Sequence, residues 1–136
     1  MSELEEGTTL QLDWLKLEAI AEKRLGVLPV AVQNADTREV ILLAYVNEEA
    51  LKASLQTRTA TFWSTSRNEL WIKGETSGHT FDLVEVYVNC EQNSLLFLVR
   101  PRGGGICHTK NREGQPRNCF YRRLEPETGL LENTDP

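Results

Sequence analysis

Cys90, Cys107 and Cys119 are the only cysteines in the chain, spaced Cys90-x16-Cys107-x11-Cys119. An odd number of thiols, without any feature of export, reads as reduced cysteine rather than a disulfide framework. Three thiolates suit zinc and leave a tetrahedral ion one open position for water, whose pKa the metal brings toward neutrality. No C-x-x-C pair is present, so neither a zinc-finger knuckle nor a thioredoxin motif is formed. Ligands this far apart converge only through the fold, and three small buried apolar side chains are the competing reading.

The two histidines, His79 and His108, are the candidates for proton transfer, because imidazole changes charge near neutral pH. His79 closes the glycine-rich polar run Gly74-Glu75-Thr76-Ser77-Gly78, and His108 follows Cys107 directly. For each of them a solvated surface histidine is the plain alternative. Trp63-Ser64-Thr65-Ser66-Arg67 and Trp71-Ile72-Lys73-Gly74 bring aromatic, hydroxyl and cationic groups close together. Aromatic faces stack on purine rings, while cations and glycine-exposed backbone N–H groups hold phosphate. Tryptophans paired across a hairpin and facing a core account for the indoles equally simply.

These residues need a frame. The 136 residues fit one domain, with hydrophobic content of 40% and charged content of 26%, ordinary for a soluble globular protein. A net charge of −5 argues against a nucleic-acid polymer or an anionic membrane as partner. The acids gather at the two ends, whereas the stretch Arg100 to Arg123 is basic and suits a small phosphorylated substrate. Neither a signal peptide nor an apolar run long enough to span a bilayer is visible, so a cytoplasmic location is expected.

Residues 1–9 and 125–136 read as flexible polar tails around a single domain over 10–124. Leu12 to Arg24 reads as a helix ended by Gly26. Val30 to Gln33 and Val40 to Val46 read as strands around an Asn34-Ala35-Asp36-Thr37 turn. Asn47 is a candidate N-cap for a helix through Leu55. Thr59 to Ser64 and Glu69 to Lys73 read as a hairpin, and Thr80 to Cys90 as a long strand turning into Ser94 to Arg100. Along that long strand, parity puts Val84, Val86, Val88 and Cys90 on one apolar face. An α+β, mainly β fold is expected: a mixed or antiparallel sheet with one or two covering helices.

Taken together, several segments resemble phosphoribosyl-AMP cyclohydrolase, a family of histidine biosynthesis. They are Leu43-Ala44-Tyr45-Val46-Asn47-Glu48-Glu49-Ala50-Leu51, Phe62 to Arg67, Leu70 to His79, Cys107-His108-Thr109 and Cys119-Phe120-Tyr121-Arg122. The resemblance spans roughly residues 26 to 123. It implies zinc-dependent hydrolytic opening of the six-membered purine ring of 1-(5-phosphoribosyl)-AMP, giving ProFAR. It also implies a partial barrel in an intertwined homodimer, with Cys90 of one subunit joining Cys107 and Cys119 of the other on zinc. His79 and His108 would handle protons. Trp63, Ser64, Ser66, Arg67, Lys73, Gly74, Glu75, Ser77 and Gly78 would bind the substrate.

Two departures stand out. The family's aspartate-rich magnesium run reads Asn89-Cys90-Glu91-Gln92-Asn93 here, so three carboxylates have become one and magnesium is expected to be weakly held or lost. Lys110 to Asn118 is longer than the family pattern and is expected to loop outward. Two other readings stay open: a paralogous zinc hydrolase acting on another purine-like or amidine compound, and a non-catalytic nucleotide-binding zinc protein.

Overall fold

In chain order, residues 2–136, the part described by the computed structural model, form α1 (Glu3–Glu6), α2 (Lys16–Glu22), β1 (Leu28–Asn34), β2 (Val40–Val46) and α3 (Glu48–Thr57). They continue as β3 (Thr61–Ser64), β4 (Glu69–Ile72), β5 (Phe81–Val88), β6 (Leu95–Pro101), β7 (Arg122–Leu124) and β8 (Leu131–Asn133). The apolar runs become strands of a four-stranded mixed sheet in the order β2-β1-β6-β5. Central β1 and β6 run parallel, and each outer strand is antiparallel to its neighbour. The pairs β3-β4 and β7-β8 are separate hairpins. The expectation of a mainly β protein with a mixed sheet and few helices holds.

The core lies on one face of this sheet. Val30, Val32, Phe97 and Val99 from the central strands meet Ile41, Val46, Phe62 and Phe81. Phe62 stacks on Phe97 with ring centroids 6.0 Å apart. The Asn34 carboxamide shapes the β1–β2 turn by accepting from the Asp36 and Thr37 N–H groups.

Asn47 caps α3 as expected, its Oδ1 accepting from Ala50 N at 2.8 Å. One turn further on, the fully buried Ser54 docks α3 onto β3. Its hydroxyl bonds the Ala50 and Thr61 carbonyls and accepts from Thr61 N–H, each at 2.9 Å. Ser54→Ala would leave the Thr61 N–H without its partner inside the core. We expect it to lower the free energy of unfolding by about 1–3 kcal/mol, read from denaturant midpoints.

Three features differ from the sequence reading. The first helix covers only Lys16–Glu22, because the Asp13 carboxylate accepts from Leu15 N–H in a local turn and Leu15 offers no capping side chain. Leu12, Leu15 and Leu17 consequently stay exposed, with Trp14 82% exposed. The second difference lies in β5. Leu83 pairs with Val99 but Glu85 pairs with Leu98, so Val84 is an extra residue that breaks the alternation. Buried Phe81 and Leu83 therefore precede half-buried Val86, while Val88 is exposed and the strand ends before Cys90. The third concerns the segments read as flexible tails, which carry α1 and β8. The first is held by Arg117 to Glu6 and by Arg122 of β7 to the carbonyls of Leu4 and Gly7, and the second by Arg117 to the Asp135 carbonyl.

Candidate functional site

Three segments meet at one cleft of about 530 Å³. The first is the loop after β4, running Lys73-Gly74 through Thr76 and Ser77 to His79. The second is the turn after β6, with Gly105, Ile106, Cys107 and His108, and the third reaches Lys110, Pro116 and Cys119; Leu42 and Trp71 complete the wall. The third segment is hooked to the sheet, since Cys119 N donates to Ile41 O at 3.2 Å and Asn118 Nδ2 to Val40 O at 3.1 Å.

Cys107 and Cys119 both line this cleft. Crowding around its sulfur pushes the Cys119 thiol up, the neighbouring Cys107 thiol adds to that, and the Lys73 ammonium pulls it back down. Cys107 Sγ also accepts from Thr109 N–H at 3.5 Å and lies 3.2 Å from Thr109 Oγ1. Lys73 sits between these thiols and the Phe81 ring, 5.6 Å from its centroid. Burial lowers its pKa and the two sulfurs oppose that.

Both histidines line the cleft. His108 Nε2 lies 2.7 Å from Glu5 Oε2 of α1. With the Nε2 proton directed at that carboxylate, a neutral ring presents Nδ1 as its acceptor. His79 is packed by glycines. A Cβ on Gly103 would lie 2.6 Å from His79 Cδ2, one on Gly105 would overlap Nδ1, and one on Gly74 would strike the His79 backbone carbonyl. Gly74 and Gly103 also have positive φ, at 78° and 68°. Nothing in the residue types alone points to this cradle; the place of Gly103 and Gly105 just ahead of Cys107 is the signal that could have exposed it.

Other candidates lie elsewhere. Trp63 is half-buried against the core and donates to Asn68 Oδ1. Ser64, Ser66 and Arg67 form a corner in which Ser64 Oγ accepts from Arg67 N and Nε. Ser66 lines a second, smaller depression with Lys16 and Lys23. Glu75 and Gly78 belong to the His79 loop but do not line the main cleft. The exposed Cys90 lies on the β5–β6 turn. Among the described residues, no three His, Cys, Asp or Glu side chains converge on a metal position.

Asn89 and Asn93, two of the three positions expected to face magnesium, are engaged in the turn itself. Asn89 Oδ1 accepts from Asn93 N and Ser94 N, each at 2.9 Å, and Asn89 Nδ2 donates to Asn93 Oδ1 at 2.6 Å. The basic stretch is also largely committed. Arg100 pairs with Asp36, Arg102 with Asp82, Arg117 with Glu6, and Arg123 with Glu125 and Glu132. Of the cations in that stretch, Lys110 is the one that lines the cleft.

A family model described as phosphoribosyl-AMP cyclohydrolase matches residues 42–121, a span that holds all three cysteines, both histidines and Lys73. The chain belongs to the phosphoribosyl-AMP cyclohydrolase family. A phosphoribosyl-AMP cyclohydrolase of Hyphomonas neptunium is 49% identical over 100 residues, covering 74% of this chain and 72% of the relative. One of Archaeoglobus fulgidus is 49% identical over 100 residues, 74% of this chain and 87% of that protein. A histidine biosynthesis bifunctional protein of Thermus thermophilus is 46% identical over 110 residues, which is 81% of this chain and 49% of that one. Residues 1–41 and 122–136 lie outside the matched cyclohydrolase region, so α1, β8 and the contacts they make lie beyond what the family model describes.

Proposed function

We propose that the chain hydrolyses 1-(5-phosphoribosyl)-AMP in histidine biosynthesis, opening the six-membered purine ring to give ProFAR with the help of zinc. The observation that carries this reading is the convergence of Cys107, Cys119, His79, His108 and Lys73 on one cleft inside the family's matched span. Two thiols on one cleft, one of them accepting an N–H on its sulfur and lying beside a hydroxyl, suit zinc as ligands. When bound, zinc supplies a Lewis acid and a water acidic enough to react near neutral pH. The opening adds water across one ring C–N bond, so one proton leaves the water and another must reach the departing nitrogen. His108 Nδ1 and the His79 ring, on the same wall, are the groups for those two transfers. Lys73 and the backbone of the 74–79 loop offer positive charge and N–H groups to the ribose phosphate, and Trp71 offers a flat wall for the purine.

The third thiol comes from a second copy in this reading. Cys90 is exposed and stands apart from the other two. The sheet also has an open apolar row, Leu43, Ala31, Leu96 and Tyr87, made of directly paired residues with Leu43 and Tyr87 about half exposed. An intertwined homodimer accounts for both. A partial barrel fits too: the segment entering β3 bridges β5 at Thr59 and Asp82, while β3 lies against β2. No described helix is long and apolar enough to cross a membrane. A cytoplasmic setting fits the free state of all three thiols.

Magnesium is not required at the Asn89 turn in this proposal, since its amide oxygens are taken up by the turn and Glu91 is the lone carboxylate there. The same turn favours one other reading, a paralogous zinc hydrolase of a related amidine. Turnover of phosphoribosyl-AMP, followed by ultraviolet absorbance with zinc present and magnesium varied, separates these. Turnover independent of magnesium is expected. Absence of turnover under every metal condition sinks the cyclohydrolase reading, and a steep magnesium requirement refutes the account of the turn.

A further inference from the structure

Arg117 is a charged residue buried beside the thiol pair, with its side chain only 4% exposed. It belongs to the lengthened 110–118 segment and stands between the two cysteines in every sense the structure offers. Its carbonyl accepts from Cys107 N at 2.9 Å, its N–H donates to Thr109 O at 3.3 Å, and Cys119 follows two residues later. Its guanidinium reaches both ends of the chain. Nη1 donates to Glu6 Oε1 and Oε2 at 2.7 and 2.8 Å, and Nε to the Asp135 carbonyl at 2.8 Å. The planar group lies 4.6 Å over the Tyr121 ring, whose hydroxyl donates to Glu5 O.

A four-residue helix such as α1 cannot persist on its own propensity. Its ties run to the loop that carries Cys107 and Cys119, Glu5 to His108 and Glu6 to Arg117, and to the following strand, where Arg122 of β7 donates to the Leu4 and Gly7 carbonyls. The opposite end does the same through Asn111 Nδ2 to Asp135 and Arg112 N to the Pro136 carbonyl. A buried guanidinium has to keep its carboxylate or leave its pocket, and leaving would carry the 117 carbonyl and the Cys107 N–H with it.

We propose that Arg117 is a positioning residue for the Cys107–Cys119 pair, with Glu6 and the Asp135 carbonyl as its clamp, so that the two chain ends set how tightly the pair retains zinc. This rests on reading the pair as zinc ligands. It makes the ends of this chain part of the site's machinery, although they lie outside the span that the family model matches.

The test uses the full-length, zinc-loaded protein and a chromogenic chelator that reports zinc release. Glu6→Gln keeps shape and removes the carboxylate charge, and Arg117→Lys keeps charge but loses the two-ended reach. Both are expected to release zinc about 10- to 100-fold faster than wild type and to shift the visible bands of the cobalt-substituted protein. Ser54→Ala, which weakens the fold away from this loop, and Arg123→Gln, which breaks a surface pair, are expected to keep the wild-type release rate and cobalt spectrum. Wild-type release and spectra in both Glu6→Gln and Arg117→Lys overturn the proposal, as does equally fast release from Ser54→Ala. A wild-type protein that binds no zinc would instead bring down the ligand reading beneath it.

Discussion

Gly105→Ala is expected to lower kcat for phosphoribosyl-AMP by about 10²-fold, the cost of misplacing a catalytic group by roughly 1 Å. The backbone would not resist this change. Gly105 has φ −78° and ψ 115°, a conformation any residue adopts, and alanine there costs the unfolded chain some freedom and nothing in strain. The nearest obstacle is the His79 side chain, because the added methyl would overlap Nδ1 and lie 2.8 Å from Cβ. Gly105 is buried, so the methyl cannot turn outward, and the imidazole must swing away from the wall it shares with Cys107 and His108. Melting temperature should stay close to wild type while kcat falls. An unchanged kcat would show that His79 takes no part in the chemistry. Gly103→Ala is a poorer probe, since its φ of 68° mixes backbone strain with the steric effect.

What could be read in the residues depended on whether the information was local. The Asn47 cap and the Asn34 turn are local, and the structure has each where the residue types put it. The thiols and histidines announced themselves by type. That Cys107, Cys119 and both histidines share a cleft was beyond spacing, but came within reach once neighbouring motifs were read together. What stayed hidden is non-local. One extra residue at Val84 reverses which side chains face the core, and nothing in Leu83-Val84-Glu85 distinguishes a bulge from a regular strand. Acidic ends and a basic stretch suggested loose tails and a phosphate grip. The structure instead matches Arg117 with Glu6 across 111 positions, and composition cannot say which acid finds which base. The glycine cradle was hidden for a related reason, since its purpose is defined by a histidine more than twenty positions earlier.

Mixing two inactive proteins is expected to restore activity. Cys90→Ser and Cys119→Ser should each reduce turnover to background, because each removes one thiol from the three-thiol zinc site proposed above. In a two-fold symmetric dimer with shared sites, each site takes Cys90 from one chain and the Cys107–Cys119 pair from the other. A hybrid of the two variants then concentrates both lesions in one site and leaves the other with all three thiols. Random reassortment makes half the dimers hybrid, and half the sites in those are intact, so about a quarter of wild-type activity returns. Zinc content should rise in the same proportion, which gives a readout independent of catalysis. A site built within one chain behaves differently, since every chain in the mixture lacks a ligand and no pairing repairs it. The position of Cys90 makes that alternative difficult: it is exposed on the β5–β6 turn, while Cys119 is hooked to Ile41 on β2, at the opposite edge of the sheet from β5. Recovery on mixing therefore assigns Cys90 to the neighbouring subunit's site. No recovery, with both variants folded and free to exchange subunits, confines the chemistry to one chain, and full activity in Cys90→Ser alone removes Cys90 from the site altogether.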